Sequence, residues 1–517
     1  MPAIVPIPPP AGRAMLTWEG KRAVERALVP EVRKVERCYP TDNSEDPGGM
    51  LFEGDNAAVL AHLLASGFAG AVDLVVIDPP FDSGRCYVRR ANLRGDRASA
   101  CLPAESPFLG AQAQYGDTWT EDTYLQFMYE RLLLLRALLA EDGSLYLHCD
   151  FHRTHHLRCL LEEVFGAGNV RNEIIWQRFN FRADGRKFGT VHDTIYLVTK
   201  GPKYHFAKPY APYKDSYVRS HFRPDEQGRL FRLDNLAAPV HGRTGKPLRF
   251  GDRLLAPPPG TMWRYAQEGL DRLWQAGRIV PSEDGVPQVR RYLDELQGQA
   301  LHSLWTDLSA VNSQARERTG YDTQKPEALL ERLIATSSRP GDLVLDCFAG
   351  SGTAAVVAQR MGRRWIACDE NPGAVQIAAA RLQRRIFAEG GSGFTTWQVE
   401  RPAPDPPPTN EARAEFLVRR DGDLLDLRIL DFASPAIERG LAGAGLEHPT
   451  DWRAVVERVL IDVAWDGRVF NVTMADAPVR RGLVAGTYRL RAPAGPSTVA
   501  VRIADVLGHA WNFTREA

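Results

Sequence analysis

The sequence lacks the features that mark several protein classes. Among its 517 residues there is no run of about 18 uncharged apolar residues, so we expect no membrane-spanning helix. The seven cysteines form no CxxC pair, which argues against a disulfide framework and against a zinc site. The first residues also lack the basic-then-apolar order of a signal peptide. We therefore expect a cytoplasmic protein with reduced thiols.

An excess of charge of either sign is also missing, because 64 basic residues balance 64 acidic ones. Their distribution is uneven. Residues 178–249 contain fifteen Lys/Arg against six Asp/Glu, with aromatic residues between them. This pattern favours a face that binds a polyanion, although a solvated loop region with incidental charge remains an alternative. The candidate contact residues are Arg182, Arg186, Lys187, Arg219, Arg223, Arg229 and Arg232.

The order of hydrophobic segments predicts an α/β protein with a mostly parallel, Rossmann-like sheet. Residues 1–50 form an N-terminal extension with a predicted helix at 21–35. Alternating strands and helices fill residues 51–200 and again 321–390, and the irregular segment 201–320 interrupts them. A proline-rich linker is predicted at 391–410. Alternating segments in 411–517 indicate a small C-terminal β-rich domain.

The tetrad Asp78-Pro79-Pro80-Phe81 directly follows the buried-strand run Val72–Ile77. The carboxyl ends of strands are where ligands bind in open α/β sheets. Two prolines stiffen the chain and contribute carbonyls without amide hydrogens. An acid, a rigid carbonyl pair and an aromatic ring are suited to holding a flat base by its exocyclic amine. The alternative is a turn that only ends the strand.

A second candidate site lies at residues 346–353, where a glycine turn joins a hydrophobic strand to a helix. Gly350 and Gly352 allow a ligand to approach the backbone closely, and the helix start offers free N–H groups. Asp369 ends the next strand, where an acid can accept the hydroxyls of a ribose. The segment lacks the third glycine of a dinucleotide fingerprint and the Lys-Ser/Thr of a P-loop. S-adenosylmethionine fits this pattern better than a pyrophosphate cofactor does.

Together these segments resemble the permuted β class of amino-group DNA methyltransferases, in particular the adenine-N6 modification subunits of type III-like restriction systems. The resemblance spans residues 51–387. The segments that carry it are 52–56, 77–84, 145–150, 165–166, 172–176, 188–195, 323–326 and 346–353. Phe81 stands where the family more often has Tyr, which should not affect stacking. In this class the irregular insert, here 201–320, is the target recognition domain.

The resemblance implies a role for each candidate residue. Asp78 and the Pro79 carbonyl would accept the two amine hydrogens of adenine, with Pro80 keeping the loop rigid and Phe81 stacking on the flipped base. Asp55 would meet the cofactor's adenine and Asp369 its ribose. Lys325, Ser351 and Thr353 are candidates for the methionine carboxylate. The cofactor-binding set is completed by Asp346, Phe348, Gly350 and Gly352.

Several alternatives stay open at this stage. The same machinery could methylate N4 of cytosine, although a leading Asp favours adenine. An RNA or protein-amide substrate and a non-catalytic DNA-binding subunit are further alternatives. His148 and the group His152, His155 and His156 lack the partners of a zinc pattern, so no metal site is predicted. Double-stranded DNA is the expected partner, and the sequence leaves a restriction subunit and a homodimer open.

Overall fold

The computed structural model describes residues 3–12, 15–39, 48–95, 108–117, 119–179, 186, 188–241, 245–281, 286–312, 314–400, 412–479 and 481–517. The candidates Arg182 and Lys187 and the second half of the predicted linker, residues 401–410, lie outside these residues. The chain forms two compact units, one of residues 1–207 and 303–517 and the other of residues 208–302. None of the helices in the described residues is long and apolar enough to cross a membrane.

The elements before residue 207 include the strands and helices that were predicted to alternate in residues 51–200. They are β1 (Ile4–Pro6), β2 (Arg26–Leu28), β3 (Val32–Cys38), β4 (Gly49–Glu53), α1 (Asn56–Leu63), β5 (Val72–Ile77), β6 (Arg85–Asn92), β7 (Phe108–Asp117), α2 (Glu121–Leu138), β8 (Leu139–Cys149), α3 (Thr154–Phe165), β9 (Val170–Gln177) and β10 (His192–Thr199). A π-helical turn (Leu64–Phe68) and a 3₁₀ turn (Ala167–Asn169) extend α1 and α3. The sequence also determines helix starts: Asp55 caps α1 and Thr120 caps α2 with their side-chain oxygens.

The smaller unit consists of short strands and two helices. They are β11 (Tyr210–Ala211), α4 (Asp215–His221), β12 (Arg223–Pro224), β13 (Leu230–Asn235), β14 (Ala237–Pro239), β15 (Leu248–Phe250), β16 (Arg253–Leu255), β17 (Thr261–Trp263), α5 (Gln267–Gln275), β18 (Ile279–Pro281), β19 (Pro287–Tyr292) and β20 (Gln299–Ala300). Leu236, Phe250, Trp263, Leu270 and Val289 form its own small core. The recognition domain was predicted at 201–320, whereas the compact unit covers only 208–302.

The chain then returns to the larger unit. The elements are β21 (Leu304–Trp305), α6 (Glu327–Ser337), β22 (Leu343–Asp346), α7 (Thr353–Arg360), β23 (Arg364–Asp369), α8 (Pro372–Glu389) and β24 (Phe394–Val399). Beyond residue 412 they are β25 (Arg413–Asp421), β26 (Leu424–Ala433), α9 (Pro435–Gly443), β27 (Val456–Asp462), β28 (Phe470–Val472), β29 (Met474–Asp476), β30 (Thr487–Arg491), β31 (Thr498–Asp505) and β32 (Ala510–Glu516).

One large sheet organises the bigger unit, with the strand order β21-β9-β10-β8-β5-β22-β23-β4-β24-β3-β28. Its six central strands, β8 to β24, run parallel. Helices α1, α2 and α3 contribute to the hydrophobic core on one face, and α6, α7 and α8 to the core on the other. From the adjacent strands β5 and β22 the chain proceeds in opposite directions across the sheet. A sheet of this kind has its ligand crevice outside the carboxyl ends of those two strands.

The C-terminal residues are β-rich, as predicted, but they are not a separate compact unit. Strand β28 pairs with β3 and thereby extends the main sheet. Buried polar side chains also cross the boundary: Gln383 on α8 donates to Glu36 at 2.6 Å and accepts from Arg458 at 2.8 Å. These residues therefore fold as part of the larger unit.

Two predictions in the terminal regions were wrong. The predicted helix at 21–35 is absent; β2 and β3 occupy its second half, because β3 gains a long-range antiparallel partner in β24. The predicted linker begins too early, since residues 394–399 form β24, which pairs with β4 and β3. In both places the pairing partner is distant in the chain, so local propensity was overridden.

Candidate active site

The crevice between β5 and β22 brings the two predicted sites together. Asp78 directly follows β5, and Asp346 is the last residue of β22. Both line a cavity of about 200 Å³, as do Pro79, Pro80, Phe81, Asp55, Lys325, Phe348, Gly350, Ser351, Thr353 and Asp369. All the predicted catalytic residues and all the predicted cofactor residues except Gly352 therefore border the same space.

Asp78 is held by two cationic side chains. Its Oδ1 contacts Nδ1 of His148 at 2.6 Å, and its Oδ2 forms an ion pair with Nζ of Lys325. Burial raises the pKa of Asp78, but the charges and hydrogen bonds of Lys325 and His148 outweigh it and lower the pKa to about 2. Asp78 is therefore ionised at neutral pH. Lys325, predicted to hold a cofactor carboxylate, instead contacts Asp78 here.

His148 is the main residue that the sequence interpretation missed. Its Nε2 lies 3.0 Å from Oδ2 of Asp193, so its ring bridges two carboxylates. Ionised carboxylates only accept, so both ring nitrogens must donate, and the ring carries a positive charge. Burial and Lys325 lower the pKa of His148, but Asp78 and Asp193 raise it by more. Arg178 completes the network 3.0 Å from Asp193.

Sheet register explains why these residues meet. Ile77 on β5 pairs with Leu147 on β8, so the next residues, Asp78 and His148, lie side by side. On the other side of β8, the antiparallel strand β10 carries Asp193 next to Thr194, which pairs with Cys149. His148 could have been predicted as a site residue from its position. Like Asp78, it lies at the end of a strand that the sequence predicted.

The proline carbonyls differ in their partners. The Pro80 oxygen accepts a hydrogen bond from the Tyr124 hydroxyl at 2.9 Å. Within the described part of the chain, the Pro79 oxygen has no protein donor. It therefore remains available to an N–H group of a ligand, as the tetrad interpretation requires.

Phe81 stands between two cavities. It lines the 200 Å³ cavity and also an adjoining one of about 700 Å³, which includes Trp176, Phe151 and Lys325. Its ring meets the His148 ring edge-on with 5.3 Å between centroids, and Nζ of Lys325 lies 5.3 Å from its centre. The aromatic residue of the tetrad thus lines both the smaller and the larger cavity.

The loop after the tetrad is fixed by acidic side chains. Asp82 has a φ of 57°, in the left-handed region that residues other than glycine seldom adopt. Its amide donates to Asp117, and its carboxylate accepts from Arg153 and from the Trp119 amide. A strained residue kept in place by several hydrogen bonds is common beside active sites.

The glycine turn has the geometry of a ligand cradle. Gly350 and Gly352 have φ values of 50° and 73°. A Cβ on Gly352 would lie 2.5 Å from the Cβ of Ala378, and one on Gly350 would lie 3.2 Å from the Tyr321 ring. Asp369 accepts the Gly350 amide at 2.8 Å. Burial raises the pKa of Asp369 to about 6, although this hydrogen bond and that of Asn371 act in the opposite direction.

Asp346 is the most strongly perturbed acid of the cavity. Burial raises its pKa to about 7, with smaller contributions from the charges of Asp78 and Asp369. Its one hydrogen bond within the described residues comes from the Phe348 amide at 3.0 Å. A buried acid with a perturbed pKa in a cleft is a functional candidate, because a cationic ligand group would restore its charge.

Ser351 and Thr353 are buried and bound by a residue that the sequence did not indicate. Arg381 on α8 donates to the Ser351 carbonyl at 2.9 Å and to the Thr353 hydroxyl at 3.0 Å. It also forms an ion pair with Glu327 at 2.8 Å. Arg381 thereby holds the turn in place, and both Ser351 and Thr353 line the cavity.

Asp55, predicted to meet the cofactor's adenine, caps a helix and forms an ion pair. Its Oδ1 caps α1 at the Ala58 amide, 3.0 Å away, while Oδ2 pairs with Arg131 at 2.8 Å. Arg131 also holds Asn56, whose side chain donates to the Cys347 carbonyl. The cap thus ties the end of β4 to the end of β22 at one side of the cavity.

The predicted DNA-contacting residues of the smaller unit fall into two groups. Arg229 is bound to Asp294 and Glu295, and Arg232 to Asp234 and Tyr217. Arg219 and Arg223 are exposed, as is Arg186 of the larger unit. Neutralised guanidinium groups attract a polyanion less, so the exposed members are the better candidates.

Metal ligation receives no support from the geometry of the described residues. No group of three or more His, Cys, Asp or Glu side chains there could hold an ion. His152 is bound to Asp150 at 2.7 Å, and the rings of His155 and His156 lie beside each other.

Comparison with known proteins places this site in a family. The family described as "DNA methylase", an N6/N4 methyltransferase family, matches residues 72–380. The chain is 29% identical over 391 residues to the type II methyltransferase M.EcaI of Enterobacter cloacae, covering 74% of this chain and 80% of that protein. It is 23% identical to the DNA adenine methyltransferase YhdJ of Escherichia coli K12, covering 67% and 86% of the two chains.

The chain is also similar to a type III subunit and to a solved structure. The Mod subunit of the type III restriction-modification enzyme StyLTI of Salmonella typhimurium is 25% identical, and the match spans 65% of this chain but only 53% of that subunit. The solved M1.HpyAVI–SAM complex aligns with a TM-score of 0.33 and 16% identity, covering 65% of this chain and 98% of that chain. Because the family match spans more than half of its 517 residues, the protein belongs to the DNA methylase family of N6/N4 methyltransferases.

Proposed function

We propose that the protein transfers a methyl group from S-adenosylmethionine to the exocyclic N6 of a flipped-out adenine at specific sites in double-stranded DNA. One observation carries the proposal: the Asp78 tetrad and the glycine turn around Gly350 border one cavity. Direct transfer needs the amine and the methyl donor within contact distance, and a shared crevice supplies that proximity, which is worth roughly 7 kcal/mol or more.

The residues around the glycine turn fit this cofactor. Gly350 lines the cavity without a side chain, and Asp369 and Asp346 offer acceptors to hydroxyl and ammonium groups. Ser351 and Thr353 present hydroxyl groups to a carboxylate, and Asp55 stands at the adenine end. When bound, S-adenosylmethionine supplies a methyl group made electrophilic by its sulfonium. Lys325 contacts Asp78, so its proposed role shifts from the cofactor carboxylate to the catalytic acid.

The tetrad would position the target amine. Each Asp78 oxygen already accepts one hydrogen bond and can accept a second, and the Pro79 oxygen has no donor among the described residues. These oxygens would accept hydrogen bonds from the two amine hydrogens. The nitrogen lone pair would then point at the methyl group. The base must leave the duplex to arrive there. The 700 Å³ cavity beside Phe81 provides room for it.

Methylation of cytosine N4 by the same residues is the second candidate, because the matching family includes both reactions. The leading Asp of the tetrad and the likeness to an adenine methyltransferase favour adenine. Transfer of a labelled methyl group to unmethylated DNA, followed by nucleoside digestion, separates the two. N6-methyladenine supports the proposal, N4-methylcytosine supports the alternative, and absence of label refutes both.

Asp78→Asn tests the catalytic assignment. The substitution keeps the shape but replaces one acceptor oxygen with a donor, so the amine loses its partner. We expect methyl transfer to fall by roughly a hundredfold or more, as for other groups that stabilise a transition state. S-adenosylmethionine affinity, measured by calorimetry, should change little. A variant with near-normal turnover would show that Asp78 is not the residue that orients the amine.

The proposal extends to location and partners. A cytoplasmic enzyme would have access to the cell's DNA. The likeness to a type III Mod subunit suggests a restriction subunit as a protein partner, although the match spans only about half of that relative. Light scattering of the purified chain would determine whether it forms a homodimer. Co-purification from cells that express a neighbouring restriction gene would test the second partner.

A further inference from the structure

A cleft rich in arginine lies in the larger unit and plays no part in the proposed chemistry. It has a volume of about 470 Å³, and seven arginines and four glutamates line it. One wall is the loop 316–320, another is helix α8, and the third comes from Pro478, Val479 and Arg481, which follow β29. The family match ends at residue 380, so that third wall lies outside the matched region.

The carboxylates of the cleft are already engaged. Glu327 pairs with Arg381 and Arg360, Glu389 with Arg385, and Glu457 with Arg94. Glu317 accepts the Glu327 amide at 2.8 Å. The negative charge in the cleft is thus used inside the protein and does not neutralise the remaining arginines.

Three arginines account for the surplus positive charge. Arg316, Arg318 and Arg481 are exposed, and among the described residues none of their guanidinium groups has a carboxylate partner. Deeper in the cleft, Arg384 donates to the Ala477 carbonyl at 2.6 Å. Burial lowers the pKa of Arg384, and the charges of Arg94 and Arg381 lower it further. Crowded cations with unsatisfied donors are the chemistry that binds phosphate groups.

The cleft is connected to the active site through a short, fixed loop. Gln324 accepts from the Thr319 amide and hydroxyl at 2.8 Å and donates to the Glu317 carbonyl at 2.7 Å. The next residue, Lys325, forms the ion pair with Asp78. Arg316 and Arg318 therefore lie at one end of a loop that Gln324 holds by hydrogen bonds. Lys325, at the other end of the loop, contacts Asp78.

We propose that this cleft binds backbone phosphates of the DNA that carries the target base, with Arg316, Arg318 and Arg481 as the contacting residues. The C-terminal segment then forms part of the DNA-binding surface. This inference rests on the proposed function for the identity of the polyanion. Its contacts are independent of the sequence of the DNA, because phosphates present the same groups at every base pair.

The test is the combined variant Arg316→Gln, Arg318→Gln and Arg481→Gln in the full chain. Its affinity for an unmethylated duplex is measured against salt concentration, together with methyl-transfer kinetics. Each lost phosphate contact lowers the salt slope by about 0.9, so we expect a decrease of roughly two to three. KM for DNA should rise at least about tenfold at physiological salt, while kcat at saturating DNA and S-adenosylmethionine affinity stay unchanged.

A matched control removes the same charge elsewhere. Arg413, Arg419 and Arg428 are exposed on β25 and β26, outside the cleft. Their combined replacement by Gln should leave the slope and KM at wild-type values. Equal decreases in both triple variants would mean that only net charge matters and would overturn the proposal. An unchanged salt slope of DNA binding in the cleft variant would also overturn the proposal. This is the result expected if the cleft binds an acidic protein and not DNA.

Two further measurements keep the result interpretable. A thermal unfolding midpoint equal to that of the wild type shows that the triple variant is folded. If it is not, the single variants Arg316→Gln and Arg481→Gln should each lower the salt slope by about one, and no decrease in either refutes the inference. Failure of the proposed function can be told apart from failure of the cleft proposal. In the first case the wild-type protein itself would transfer no methyl group to any DNA.

Discussion

At the scale of single residues, the site is organised by charge. Asp78, His148, Asp193, Lys325 and Arg178 form one connected network in which two carboxylates alternate with three cations. Such a network costs desolvation energy, and removing a single member leaves a buried charge without compensation. Its rigidity defines the position of the Asp78 oxygens before any substrate arrives.

Replacing His148 should therefore destabilise the fold. In His148→Gln the facing carboxylates of Asp78 and Asp193 lose their shared cation, and we expect the free energy of unfolding to fall by roughly 3 kcal/mol. Urea unfolding measures it. His152→Gln is the control, because His152 is more exposed and pairs with one carboxylate, that of Asp150, instead of bridging two. Equal effects of the two substitutions would contradict a special role for His148.

The contacts of His148 with Asp78 and Asp193 predict that the free energy of unfolding depends on pH. The pKa of His148 is raised in the folded protein, so its stabilisation is complete below its ordinary value of 6.5 and is lost as the pH rises through the folded-state value. Between pH 6 and pH 9 the free energy of unfolding of the wild type should decline more than that of His148→Gln. Parallel curves for the two proteins would contradict the network described here.

Asp346 predicts a pH dependence of cofactor binding. Because its pKa is raised to about 7, it is largely protonated at pH 5.5 and becomes a carboxylate as the pH approaches neutrality. If it binds the ammonium group of S-adenosylmethionine, affinity should increase roughly tenfold between pH 5.5 and pH 7. Calorimetry with wild type and Asp346→Asn measures it. A variant that keeps the full pH dependence would exclude Asp346 as its source.

At the scale of elements, strand ends determine which residues were predictable. Asp78 and Gly350 follow strands that hydrophobic runs reveal, so their meeting at one edge could be inferred from an α/β pattern. The position of His148 could have been inferred in the same way. The exact neighbours could not, because Ile77↔Leu147 pairing depends on strand order and register. Strand β3 was missed, because its partner β24 lies more than 350 residues later.

The arginines of the smaller unit allow a prediction within one element group. Arg219 and Arg223 are exposed, whereas Arg229 and Arg232 are held by acidic partners. Replacing the first pair with Gln should reduce the salt slope of DNA binding by about two, from about 0.9 per lost contact. Replacing the second pair should change it less. Fluorescence anisotropy at several salt concentrations compares the two double variants. A larger effect of replacing Arg229 and Arg232 would mean that this pair, and not the exposed pair, contacts DNA.

At the scale of the whole molecule, both ends of the chain complete the main sheet. Strand β3 lies between β24 and β28, and Glu36 on β3 joins Gln383 to Arg502. No sequence pattern links residue 36 with residues near 460 and 500, so this assembly was not predictable. The arginine cleft depends on the same assembly, since residues 94, 316 and 481 are distant in the chain.

Gln383→Met tests whether these parts unfold together. The substitution removes hydrogen bonds to the buried Glu36 and Arg458, and we expect a loss of about 2 kcal/mol in the free energy of unfolding. Arg489→Met, at an exposed ion pair on β30, is the control and should cost less than about 1 kcal/mol. Calorimetry should show the transition of the larger unit shifted as one. A shift of only part of it would indicate a separable C-terminal segment.

The smaller unit leaves the framework after residue 207 and returns at residue 303, and both stems are fastened there. The Ala207 amide donates to the Thr336 carbonyl, and the Ser303 carbonyl accepts from Ile175, each at 2.7 Å. Because both connections are held by hydrogen bonds within the larger unit, the sequence of the smaller unit can change while the larger unit keeps its structure. If the smaller unit is the predicted target recognition domain, its sequence can change while the residues around Asp78 keep their positions.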